Sequence, residues 1–261
     1  MRQAGGRILI CAIAILVSAI VCTGYISWQH TERGNSTYSS NLTSPTVAYI
    51  NGAVIEEREF NLFLSQVKAQ VTSYFKQKFD ADDSSTFWTT SFQGEVPIIK
   101  AKQLALEQIK QVKVQQLLAQ QFGLLEDTSY SSFLDKWAKE NQRRQEAVAN
   151  NRVIYGPRQY EEWGYYTYVQ STMIIQLKAV MNEREEAVSE QELINLYEQL
   201  KGKLYQEPGE RKAGSYIPYS EVKDSVKQRL IDANYDARVK QELEAAKVVV
   251  MEPIYQQIQM Q

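Results

Sequence analysis

The stretch Val47-Ala48-Tyr49-Ile50-Asn51-Gly52-Ala53-Val54-Ile55-Glu56-Glu57-Arg58-Glu59-Phe60 reads as a short buried strand, a tight turn and the start of a helix. Val47 to Ile50 is an apolar run rich in β-formers, the composition of a strand covered on both faces. Asn51-Gly52 supplies the left-handed backbone that a tight turn needs, because Gly lacks a Cβ and Asn tolerates positive φ. Ile55 then leads into Glu56, Glu57 and Glu59, carboxylates that oppose the positive end of a helix dipole. Beyond them Phe60, Leu64, Val67, Val71, Tyr74 and Lys78 recur three and four apart, which predicts one amphipathic helix running to about Phe79.

Working outward, the polar cluster Asp80 to Ser85 breaks that helix, and Thr86 to Phe92 is a loop dense in aromatics. Pro97 suits the first turn of a helix over Ile98 to Phe122, whose face is Ala101, Ala105, Ile109, Val112 and Gln116, with Gly123 as its stop. Asp127, Thr128 and Ser129 offer a cap for a helix carrying Phe133, Leu134, Trp137, Ala138, Ala147 and Val148. After the connector at Asn150 to Pro157, a helix over Arg158 to about Glu186 carries Trp163, Tyr166, Gln170, Met173, Leu177 and Val180. Ser189 with Glu192 is a capping box for a helix ending near Gln206. A turn-rich segment, Glu207 to Gly214, precedes a helix from about Tyr219 with the row Val222, Val226, Leu230, Ala233 and Ala237. Val248, Val249 and Val250 form a final β-branched run, and its economical partner is the opening strand, since an isolated strand leaves backbone groups unpaired.

The opening phrase, the segment Val188 to Gln199 and the helix Tyr219 to Leu230 occur in the order found in the SurA/PrsA family of extracytoplasmic foldases and chaperones, and the chain resembles that family over about residues 46 to 251. The resemblance implies a mainly α, multi-helix fold like the SurA N-domain, with a small strand pair joining residues 47–51 and 247–251. It also implies binding of unfolded or exported polypeptides. In relatives a parvulin-type isomerase domain sits between the second and third phrases. The short run between Gln206 and Tyr219 is far below the size at which a domain folds unaided, so that module is expected to be missing.

Arg2 and Arg7 precede nineteen uncharged residues, Ile8 to Ile26, long enough as a helix to cover the ~30 Å of a bilayer core. Residues 1–7 are thus expected in the cytoplasm and residues 8–28 as a transmembrane anchor or uncleaved signal, with cleavage, or lipidation at Cys22, as the alternative. By the positive-inside tendency the remainder lies on the extracytoplasmic face of the cell membrane. Residues 29–45, rich in Ser, Thr and Asn, form a flexible tether, residues 46–252 the helical domain, and residues 253–261 a C-terminal tail.

Both cysteines, Cys11 and Cys22, fall in the apolar segment, and the single histidine, His30, falls in the tether. The domain itself therefore offers no thiol, no imidazole and no disulfide framework. A net charge of −2 and a pI near 5.7 give no basic field for nucleic acid. The carboxylate pairs Glu56-Glu57, Asp82-Asp83, Glu161-Glu162 and Glu185-Glu186 read as solvated helix faces and turns, and no spacing suggests a metal or a cofactor.

What remains is apolar surface. Among sixteen tyrosines, four tryptophans and eight phenylalanines two clusters stand out, Phe87, Trp88 and Phe92, and Tyr160, Trp163, Tyr165, Tyr166 and Tyr168. At about 100° per residue, positions 165, 166 and 168 do not share one helix face, so some of them face outward. These eight residues are the candidate polypeptide-binding set. The function expected is that of a membrane-anchored extracytoplasmic chaperone without catalysis. Two alternatives stand beside it, a peptidyl-prolyl isomerase of the PrsA type and a dedicated cell-envelope interaction subunit.

Overall fold

A computed structural model describes residues 44–184, 187–206 and 215–260. The chain runs through β1 (Thr46–Ile50), β2 (Ala53–Glu56), α1 (Glu57–Phe79), a 3-10 turn (Phe87–Thr89), α2 (Pro97–Gln121), α3 (Tyr130–Ala149), α4 (Glu162–Arg184), α5 (Glu190–Leu204), α6 (Tyr219–Ala245), β3 (Val248–Val250) and α7 (Glu252–Gln257). The fold is mainly helical with one small sheet. Among the described residues no helix is long and apolar enough to cross a membrane. The expected anchor, residues 8–28, lies outside them, as do Glu185 and Glu186.

The sheet has three antiparallel strands in the order β2-β1-β3. Pairing of the chain's two ends follows the sequence reading, with Ala48, Tyr49 and Ile50 opposite Val250, Val249 and Val248. The third strand corrects it. Asn51 (φ 48°) and Gly52 (φ 87°) make a two-residue turn with both residues left-handed, the form whose twist matches an antiparallel hairpin. The chain therefore returns beside β1 as β2, placing Ile55 opposite Ala48, and the helix starts only at Glu57. Asn51 also ties down the far end: its N–H donates to the Lys247 carbonyl at 2.9 Å, and its Oδ1 accepts the Lys247 N–H at 2.8 Å.

The expected tail is also structured. α7 and residues 258–260 beyond it pack onto the main core through Ile254, Tyr255, Ile258 and Met260, while the Lys102 ammonium donates to the carbonyls of Tyr255 and Gln256.

α1 and α2 lie antiparallel over the sheet: Glu59 near the start of α1 meets Lys113 late in α2, and Tyr74 near its end meets Lys100 early in α2. Phe60, Leu64, Val67 and Val71 are buried as the periodicity predicts. The row then continues through Phe75, and Lys78 stands outside beside Glu95, because 3.6 residues per turn carry a fixed stripe around the axis. Asp80 (φ 51°) ends α1 in the left-handed conformation, and the Ala81 N–H reaches back to the Phe75 carbonyl.

A second core joins Leu118, Ala119 and Phe122 of α2, Met173, Leu177 and Met181 of α4, and Tyr235 and Val239 of α6. A third, smaller one holds α5 against the first half of α6 through Leu193, Tyr197 and Val226. α6 thus serves two cores, and its buried row changes face midway, from Val226 to Tyr235 and Val239. That shift explains why a single predicted row over Val222 to Ala237 does not fit it. Between the end of α5 and the start of α6, Gln206 bridges to Tyr216 and the Ile217 N–H donates to the Tyr205 carbonyl. Residues 44–261 form one compact unit, with its first and last strands in one sheet.

Candidate functional site: an uncharged face of α4

α4 is set in place by polar groups that the periodicity does not reveal. Tyr166 is buried and donates its hydroxyl to Glu59 Oε1 at 2.9 Å; the same oxygen receives Lys113 Nζ at 3.0 Å. Lys113 also donates to the Thr128 carbonyl at 2.9 Å, and both members of the ion pair are 1% exposed. Burial raises the Glu59 carboxyl above the usual range, with Lys113 opposing that shift, and burial raises the Tyr166 phenol well above its ordinary value. One turn earlier, Glu162 is gripped by Arg58 through Nε at 3.1 Å and Nη2 at 3.0 Å, and it accepts the Tyr130 hydroxyl. α1, α2, α3 and α4 are thereby held in one register.

The approach to α4 is equally fixed. Tyr160 donates its N–H to Asn141 Oδ1 at 2.8 Å, and its carbonyl accepts from Trp137 Nε1 and Asn141 Nδ2. Arg144 donates to the carbonyls of Tyr155 and Pro157 and lies 4.4 Å above the Tyr160 ring. Satisfying these backbone groups from α3 side chains replaces a first helical turn. α4 consequently begins at Glu162 and not at Arg158, and its inward and outward faces follow from that anchoring.

The candidate residues separate into three groups. Phe87 is buried, and Trp88 and Phe92 are half-buried, in a ring cluster with Phe75 and Phe79 at the far end of α1, centroids 5.0 to 6.0 Å apart. They seal the main core. Trp163 and Tyr166 turn inward, each edge-on to Phe63 at 5.2 and 5.3 Å. Tyr160, Tyr165 and Tyr168 turn outward together: Tyr160 stacks on Tyr168 at 5.7 Å and meets Tyr165 at 5.4 Å. The first cluster is therefore not part of the surface formed by the second.

From this tyrosine group an exposed row follows the helix. Tyr168 is 53% exposed and Ile175, two turns on, is 70% exposed; Ser171, Ala179 and Asn182 lie on the same side. No residue of that row is charged. It runs into an open cleft of about 510 Å³ between α4 and α6, lined by Ile175, Ala179 and Ile231 together with the charged residues Lys178, Glu183, Asp224, Lys227 and Asp232. Lys178 and Asp232 pair across it at 2.7 Å, which holds the Asp232 carboxyl below its usual range. From Tyr168 to Asn182 the helix rises roughly 20 Å, room for an extended segment of several residues. An uncharged row takes up apolar side chains without demanding a fixed hydrogen-bond pattern.

Sequence reasoning passed over Ile175, Ala179 and Ile231, although Ile175 stands about 160° around the helix from Leu177 and its outward place was legible from pitch alone. It also passed over Val153 and Tyr155, 82% and 87% exposed, on the connector before α4. Their signal was present, since two large apolar residues in a short Gly/Pro-bounded loop cannot both reach a core. Among the described residues no group of acidic, His or Cys side chains is arranged to hold a metal.

No family model and no solved structure matches the sequence. The chain is similar to the chaperone for lacto-N-biosidase of Bifidobacterium longum subsp. longum, at 23% identity over 206 residues that cover 78% of this chain and 70% of that protein. The similarity links the chain, distantly, to a protein with a chaperone role.

Proposed function

We propose that this chain is an extracytoplasmic chaperone of the SurA/PrsA type, anchored through residues 8–28, which holds unfolded or exported polypeptide along α4 and makes or breaks no bond. The observation that carries the reading is the uncharged, solvent-reached row from Tyr168 through Ile175 into the α4–α6 cleft. Displaying that row on a tether beside the membrane raises its effective concentration over emerging chains, so a weak affinity suffices. The distant chaperone relative and the short run of sequence between Gln206 and Tyr216, which bridge to each other, support holding without an isomerase module.

The test is suppression of client aggregation by residues 44–261, compared with the Tyr168→Ser/Ile175→Ser variant. Losing two apolar side chains of contact weakens client binding on the order of tenfold or more. Equal suppression by both proteins would remove the α4 row from the proposal, and no suppression by either would end it. The isomerase alternative is separated by a proline-limited refolding assay, in which a holding protein leaves the slow X-Pro phase unaccelerated.

A second reading comes from the relative's name, which mentions one enzyme. Dedicated service to a single exported enzyme predicts one stoichiometric partner on recovery from cells, where a general holder returns many.

A further inference from the structure

Asn151 to Tyr160 forms a rigid loop with an apolar tip. Val153 and Tyr155 are the most exposed large apolar side chains described, yet the backbone beneath them is pinned. The Arg152 N–H donates to the Ala147 carbonyl at 2.8 Å, the Tyr155 and Pro157 carbonyls accept from Arg144, and Tyr160 is held by Asn141. Gly156 (φ 83°) provides the turn. The only charges between Ala147 and Tyr160 are Arg152 and Arg158, both exposed. Of the neighbouring carboxylates, Glu140 is paired with Arg143 and Arg144, Glu146 accepts from Gln142, and Glu161 lies beyond the tip.

We infer that this loop docks on an anionic bilayer surface, with Val153 and Tyr155 in the headgroup boundary and Arg152 and Arg158 on lipid phosphates. An aliphatic and a tyrosine side chain flanked by arginines match the interface chemically: the phenol keeps its hydroxyl wet while the ring is buried, and each cation near the surface adds attraction. A client peptide is the less suitable occupant. The tip carries cations alone beside its two exposed apolar side chains, whereas the α4–α6 cleft carries charges of both signs. Loop docking would set which way the α4 row faces above the membrane.

The test is co-sedimentation of residues 44–261, a unit that closes its own sheet and cores, with phosphatidylglycerol or phosphatidylcholine vesicles at low salt. Binding is expected to the former and weak to the latter. Val153→Ser/Tyr155→Ser and Arg152→Gln/Arg158→Gln are each expected to lower it on the order of tenfold. Both pairs are solvent-exposed, so circular dichroism and client holding stay unchanged, which separates this proposal from the one on α4. Absence of binding to anionic vesicles, or undiminished binding by the Val153/Tyr155 variant, overturns it. So does loss of client holding in place of vesicle binding, which would make the loop a client surface.

Discussion

Lys113 and Glu59 show how much one side chain holds. A buried ion pair is costly to assemble, but removing one partner leaves the other charge without compensation. Lys113→Met is therefore expected to cost about 3–5 kcal/mol in urea unfolding, whereas Lys113→Met with Glu59→Gln should recover most of that loss. Equal losses in the single and double variants would show that Lys113 matters for its packing and not for its charge. Two carboxyls give opposite pH signatures. The Glu59 carboxyl is raised in the fold, so the folded state takes up its proton more readily than the unfolded chain, and stability falls as pH rises from the ordinary carboxylate range through the raised value. Asp127 is lowered, chiefly by the Ser129 hydroxyl and then by its N–H, at 2.7 Å each. Its contribution is present above its unfolded range and is lost as pH falls through the lowered value. Urea midpoints across the acid range should show a shallower acid loss in Asp127→Asn than in the parent.

Among the elements, the hairpin and β3 carry the closure of the chain. Asn51→Ala removes the acceptor for the Lys247 N–H and places a Cβ-bearing residue without Asn's tolerance at φ 48°. The expected loss is about 1–3 kcal/mol, with faster hydrogen exchange at Val248 to Val250 as the direct readout. Ending the chain at Ala246 would leave the β1 edge bare beside buried Val47, Ala48 and Ile50, and should yield aggregating protein. The α5–α6 arm is held by the smallest of the three cores, and α5 is started by the Ser189–Glu192 capping box. Its amides are expected to exchange before those of α1 and α2, and Ser189→Ala should accelerate them further by removing about 1 kcal/mol of capping. Exchange of the arm and body at one common rate would show instead that α6, uninterrupted by Gly or Pro, welds them into a single cooperative unit.

For the molecule as a whole, the cleft depends on the arm standing away from α4. Leu177 is fully buried in the core where α2, α4 and α6 meet, and Leu177→Ala is expected to cost about 2–5 kcal/mol. If the α4 row is the holding surface, such a variant should lose client holding only in proportion to the fraction unfolded. Tyr168→Ser/Ile175→Ser should lose it while keeping the parental unfolding midpoint. Melting curves run beside aggregation assays distinguish the two.

Local chemistry was enough to read most helices, the Asn51-Gly52 turn, the Ser189 cap and the pairing of the first and last strands. Periodicity, turn residues and caps act over a few residues, and a lone strand must find a partner. The same local signals left β2 inside the helix start, left residues 253–261 as a tail and gave α6 one face where it has two, since each of these is settled by contacts distant in sequence. Aromatics divided in the same way. Tyr165, Tyr166 and Tyr168 had to face different sides of one helix, a matter of pitch alone. That Tyr166 is the inward one followed from Glu59 and Lys113 reaching it across three helices. Burial is a property of the groups opposite a side chain, and in this fold those groups are set in place by polar pairs far apart in the chain.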